Sequence, residues 1–140
     1  MITGGAGRAF ILRLQQGNDL LKEVESQLRA ARVNAALISG IGSLSRARLA
    51  WFNPDTMKYE EEEVEGSLEV ASLNGNYVTP EEGSVSLHLH AVIGTKEKTW
   101  GGHLLEGTVN LNFEIVAIEI AGISASRYRD EKSKINLIRE

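Results

Sequence analysis

Three histidines, His88, His90 and His103, are all the imidazoles in this 140-residue chain, and they fall within one 16-residue stretch, "HLHAVIGTKEKTWGGH". Imidazole nitrogens bind divalent ions, move protons near neutral pH, or sit solvated on a strand. Spacing helps to separate these roles. His88 and His90 are two apart, so on a strand they share a face. If Lys96-Glu97 is a two-residue turn, His90 falls directly across from His103, with Cβ atoms roughly 4.5–5.5 Å apart. Three nitrogens on one patch can reach one ion at about 2.0–2.1 Å and leave a fourth position open, as catalytic zinc sites do. The register is an assumption, because Lys-Glu is a weak hairpin pair and Gly101-Gly102 could bulge the second strand. Acid–base chemistry without metal lacks an evident nucleophile, since Ser84 and Ser86 carry no supporting signature.

The elements around this stretch must hold that register. Residues 85–93 place Val85, Leu87, Leu89, Ala91 and Ile93 on one parity and Ser84, Ser86, His88 and His90 on the other, a half-buried strand. From Thr108 onward Val109, Leu111, Phe113 and Ile115 alternate with polar residues. The apolar parity then flips to Val116, Ile118 and Ile120, as a β-bulge or a change of covering surface would require. Near the start, Phe10, Leu12 and Leu14 mark a strand. Asn18 or Asp19 caps one helix with an apolar stripe of Leu21, Val24, Leu28 and Ala31. "SGIGS" (39–43) reads as a tight strand-to-strand connection in preference to an anion-binding nest. Asn53-Pro54-Asp55 and "TPEEG" are turns, and "NGN" (74–76) carries a strong turn signal. "MKYEEEEVEG" and "SLEVASL" read as two strands, the first with its acidic run on a solvated face or edge. The tail "SRYRDEKSKINLIRE" offers a further edge strand. The chain reads as one α+β domain over 1–140, strand-rich with one principal helix.

Bulk properties bound the function. The chain is 42% apolar and 24% charged, with net charge −4, a globular composition whose field does not attract DNA or acidic membranes. With no cysteine, disulfides and thiolate metal sites are excluded. No apolar run is long enough to span a bilayer and the start has no signal-peptide pattern, so the expectation is a soluble cytoplasmic protein. Arg46 and Arg48 share a strand face and read as salt-bridged or solvated beside the acidic run. Trp51 and Trp100 read as core or interface residues.

The order of these pieces resembles the PPC domain, the "plants and prokaryotes conserved" domain. The likeness is carried by "GRAFILRLQQGNDL", "ISGIGSLSRARLAWF", "LEVASLNGNY", "SLHLHAVIG", "GGHLLEGTVNLNFEIVAIEI" and "RDEKSKINLI". This resemblance implies a compact α+β fold with a mostly antiparallel sheet of about seven strands, assembling as a homotrimer. It also implies a regulatory or DNA-associated role, and metal, zinc first, at the positions of His88, His90 and His103. The plant members' Arg-Gly-Arg-Pro hook, which grips A·T-rich DNA, has no counterpart in these residues.

Two functions follow as expectations. One is a regulatory homotrimer that contacts DNA. The other is a zinc-type centre that binds or hydrolyses a small molecule. A bound divalent ion lowers the pKa of its water toward about 7, and hydrolysis needs a proton acceptor. Glu69 and Glu106 are candidates by chemistry alone, and Asn76 joins them if its turn closes over the site.

Overall fold

Asp19 starts the helix. Its carboxylate accepts a hydrogen bond from the Lys22 backbone N–H at 3.2 Å, satisfying one of the donors that a helix start leaves free. The helix α1 (Leu20–Ala30) follows strand β1 (Gly5–Gln15). It buries Leu20, Val24 and Leu28 completely, while Leu21 and Ala31 are only partly covered. The deepest stripe therefore begins one residue earlier than the spacing predicts. Each such side chain contributes roughly 1.5–3 kcal/mol of burial, which fixes the helix against β1 and the long strand β5.

A computed structural model describes residues 1–139. After α1 come β2 (Ala35–Asn53), β3 (Lys58–Val78), β4 (Leu87–Gly94), β5 (Thr99–Ala121), β6 (Ser126–Arg129) and β7 (Asn136–Arg139). The first five strands form one antiparallel sheet in the order β1-β5-β2-β3-β4. Because β4 also pairs with the start of β5, the strands β5, β2, β3 and β4 close into a ring. The seven strands expected are present, divided between this sheet and a separate β6–β7 hairpin. The tail thus pairs with itself instead of extending the main sheet, and Glu140 lies outside the described residues. No described helix is long and apolar enough to cross a membrane.

Two expected connections are strand interior. "NGN" is no turn: β3 runs unbroken from Lys58 to Val78, with Gly75 paired to Ile38 on one side and Leu89 on the other. A Cβ at Gly75 would collide with the carbonyl oxygen of His88, so this glycine permits a close approach of two backbones. "SGIGS" likewise lies within β2, where the register slips at Gly40–Gly42 and again near Leu44. A Cβ at Gly42 would stand 2.5 Å from the Asn112 carbonyl oxygen. A bulge is a better device here than a turn, because it bends one long strand round the ring without ending its ladder.

On β5 burial keeps one parity through the predicted flip. Phe113, Ile115 and Ala117 are all buried, and pairing with β1 and β2 is continuous across them. The irregularity sits earlier, where Gly42 faces Phe113 but Leu44 faces Val109. What changes after Ile115 is the opposite face. Val116, Ile118 and Ile120 are about two-fifths exposed, and Ile11, Leu37 and Ile41 on the neighbouring strands are more exposed still. The sheet presents an apolar outer surface.

Candidate metal centre

The hairpin places the histidines. His90 pairs with His103, and the register continues through Ala91–Gly102, Val92–Gly101, Ile93–Trp100 and Gly94–Thr99. Lys96-Glu97 therefore forms the two-residue loop, and the glycine pair does not bulge the strand. Thr95 makes this weak turn sequence work: its hydroxyl oxygen accepts from the backbone N–H of Glu97 and Lys98, both at 3.2 Å. Leu87, Leu89, Ala91 and Ile93 are buried on the core face of β4, which turns His88 and His90 to the other face.

There the three rings meet. Their centroids are 5.3 Å apart for His88–His90, 5.0 Å for His88–His103 and 5.4 Å for His90–His103. One nitrogen from each lies within 4.8 Å of the other two. Nitrogens sharing a tetrahedral zinc stand roughly 3.3 Å apart, given bonds of about 2.0–2.1 Å, so small ring rotations separate this arrangement from a ligand set. The protonation state suits the task. Burial, reinforced by the other histidines and by Arg127, pulls His103 down to about 4, and burial with Arg127 and His90 lowers His88. Both imidazoles are thus neutral at pH 7, as metal ligation requires. The residues fit a divalent ion.

His88 and His103 also line a cleft of about 520 Å³, whose walls include Tyr59, Phe52, Lys58 and, from the β6–β7 hairpin, Arg129. Tyr59 lies with its ring 6.0 Å from that of His103.

Of the other residues singled out by sequence, Asn76 is beside the site, though by pairing and not by a turn. It faces His88 across β3–β4, and its side-chain oxygen accepts a hydrogen bond from the guanidinium of Arg127. Glu69 pairs with Gly94 at the far end of β4 and is exposed, on the same face as the histidines but four residues along the strand from His90. Glu106 is engaged by Arg46 at 3.1 Å and by Arg48. Neither carboxylate lines the cleft. Trp100 packs on the core with its indole N–H donating to Glu62 at 2.9 Å.

The family model described as the Plants and Prokaryotes Conserved (PCC) domain, also abbreviated PPC, matches residues 1–121. The chain belongs to this family. A metal-containing protein from Archaeoglobus fulgidus superposes with a TM-score of 0.90 at 28% identity, covering 100% of this chain and 99% of that one. A PPC protein from Pyrococcus horikoshii gives 0.87 at 30% identity, covering 100% and 95%. A candidate DNA-binding protein from Bacteroides thetaiotaomicron gives 0.82 at 23% identity, covering 98% and 97%. Among curated proteins, the bifunctional protein GlmU of Synechococcus sp. (strain JA-3-3Ab) is 36% identical over 130 residues, 90% of this chain but 19% of that protein's length.

Within this PCC domain, sequence reasoning missed one residue that matters to the site. Arg127 looked like part of a charged tail, yet it is 2% exposed. Its strand is drawn in by backbone bonds to residues far away in sequence: its N–H donates to the Thr79 carbonyl, and its own carbonyl accepts from Glu81 N–H. The available signal was the i, i+2 pair Arg127 and Arg129 on one face of a short strand, which is weak by itself.

Proposed function

We propose that this protein is a divalent-metal PCC domain in which His88, His90 and His103 together hold one ion, zinc first. The carrying observation is the convergence of the three ligand atoms within 4.8 Å. When bound, such an ion supplies Lewis acidity and a water of lowered pKa. The chain's own residues do the rest: the buried β4 face turns His88 outward, Asn76 across from it holds Arg127, and the cleft admits a small molecule beside His88 and His103. No carboxylate lines that cleft among the described residues, so a general base for hydrolysis is not at hand. Binding of a small ligand is the better-supported use.

Elemental analysis of protein purified without an affinity tag tests this reading. We expect about one divalent ion per chain, lost in the His88→Ala, His90→Ala, His103→Ala triple variant. At a metal concentration 100 times Kd the wild type should gain about 2.7 kcal/mol of stability over the stripped protein, a gain the triple variant lacks. Less than about one ion per three chains would overturn the proposal.

We further propose a homotrimer working in the cytoplasm. Support comes from the apolar outer face that includes Leu37, Ile41, Val116 and Ile118, of the kind that symmetric assembly covers. Sedimentation should give three times the 15.3 kDa chain, and a Leu37→Glu, Ile118→Glu double variant should sediment as a monomer. A monomeric wild type would refute the assembly. A regulatory contact with DNA draws on the family alone, while the exposed acidic residues 60–63 oppose it. A DNA-binding domain would show affinity falling steeply across a salt series; here little binding is expected even at low salt.

A further inference from the structure

Arg127 is a cation without a counter-charge. Its guanidinium makes one side-chain hydrogen bond, to the neutral amide oxygen of Asn76, and its buried Nε has no partner. No carboxylate of the described residues lies within ion-pair distance of it, whereas the partly buried Arg46 and Arg48 each have at least two. An arginine cannot shed its proton, and a charge buried alone is costly unless something pairs with it. Burial is the one influence acting on its proton affinity, with no acid opposing it.

The charge lies close to the histidine face, although Arg127 does not itself line the cleft. Asn76, which holds the guanidinium, pairs with His88, and Arg127 is felt by both His88 and His103. Arg129, two residues on along β6 and therefore on the same strand face, lines the cleft beside those histidines. Lys58 and Lys134 line it too; Lys134 is paired with Glu131 at 2.9 Å, but Glu131 is not itself a lining residue. A chain with 19 acidic side chains and net charge −4 has thus built a cleft whose charged lining residues, Lys58, Arg129 and Lys134, are all cations. A concave surface of one sign concentrates ions of the other.

We infer that the cleft takes a small oxyanion, a carboxylate or phosphate group, seated beside His88 and His103 and balanced by Arg127 and Arg129. The planar guanidinium of Arg129, in the cleft wall, suits two oxygens of one such group, while buried Arg127, whose Nε has no partner, adds its charge from outside the lining. This deepens the metal reading, since an ion held by three neutral imidazoles keeps its full charge and adds to the same field. It does not depend on that ion, because the arginines are present without it.

Calorimetric titration at constant ionic strength tests the inference, with inorganic phosphate and malonate as separate probes. Each is run on chelator-stripped and on zinc-loaded full-length protein. Wild type should bind at least one probe, and Arg127→Gln and Arg129→Gln should each weaken it about tenfold or more, while Lys96→Gln, on the β4–β5 loop, leaves it unchanged. Binding of malonate but not phosphate identifies a carboxylate ligand, and the reverse a phosphate. Arg129 is exposed, so its variant keeps the test alive if Arg127→Gln fails to fold. Arginine-dependent binding to stripped protein that takes up no zinc would sustain the anion site and sink the metal centre. Zinc uptake with no binding of either probe, or binding indifferent to both substitutions, would overturn the anion site and leave the metal centre standing.

Discussion

Two charged regions meet on β5, and they are built on opposite terms. In the first, Arg46 and Arg48 are matched against Glu61, Glu63 and Glu106: Arg46 reaches Glu63 at 2.5 Å and Glu106 at 3.1 Å, and Arg48 reaches Glu61 at 2.5 Å and also Glu106. In the second, three residues before Glu106 along β5, His103 gathers with His88, His90 and a lone buried arginine. Every positive charge in the first region has an acid of its own, so the network is complete and needs no ligand. The second holds three imidazoles and a buried cation with no acid of its own, an arrangement that folding alone does not explain. Adjacent parts of one sheet thus show what a structural charge cluster looks like beside one that awaits a partner.

Gly75→Ala should affect the second region most. Gly75 lies between Asn74 and Asn76, the residues that face His90 and His88, and an added Cβ meets the His88 carbonyl oxygen. Backbone cannot yield as a flexible side chain would, so β3 and β4 must separate. Overpacking typically costs 1–3 kcal/mol; here we expect about 3 kcal/mol or more by urea denaturation, with loss of metal uptake. The first region, on β2, β3 and β5 away from β4, should keep its register. Full metal binding in a stable Gly75→Ala protein would mean that β3–β4 contact does not set the histidine geometry.

Acid should also separate the regions. In the unfolded chain a histidine takes its proton near 6.5, whereas folded His103 resists until about 4. Between those values the unfolded state binds more protons, so metal-free stability falls as pH drops through that window and levels off below it. The full shift corresponds to roughly 3 kcal/mol at 1.36 kcal/mol per unit; because His103 is only partly buried, solvent screening reduces this to about 2 kcal/mol. Glu63 and Glu81, whose carboxyls are lowered first by hydrogen bonds from Arg46 and Arg139, lose stability on acidification as well. The measurement is therefore a difference in Tm between wild type and His103→Asn at pH 7, 5.5 and 4.5. Parallel curves would contradict the depressed pKa.

The contrast also explains what the sequence could disclose. Local patterns carried the helix, the β4 alternation and, through one assumed turn, the pairing of His90 with His103, because each rests on residues close in the chain. Glycine was the main source of error. Gly75 and Gly42 read like turn residues, since a turn and a close backbone approach both demand a missing Cβ. Only the strand on the other side, the His88 carbonyl or Asn112, distinguishes them. Arg127 was hidden for a similar reason: its burial depends on Thr79 and Glu81, nearly fifty positions away, and nothing within "SRYRD" announces it. The ion pairs of Glu106 were hidden in the same way, because its partners, Arg46 and Arg48, lie on another strand.

Those ion pairs set up the smallest effect. Glu106→Gln removes the carboxylate that links Arg46 to Arg48, but each arginine keeps a second acid, Glu63 and Glu61 respectively. The pairs are partly exposed, so screening by water and salt limits their worth to about 0.2–1 kcal/mol each. We expect a loss below about 1 kcal/mol that shrinks further in 0.5 M salt, with zinc uptake and anion affinity unaltered. The value of so small a change lies in its silence at the histidines. If Glu106→Gln reduced metal or oxyanion binding several-fold, the two regions would be coupled through β5, and the complete network could no longer be read as structural.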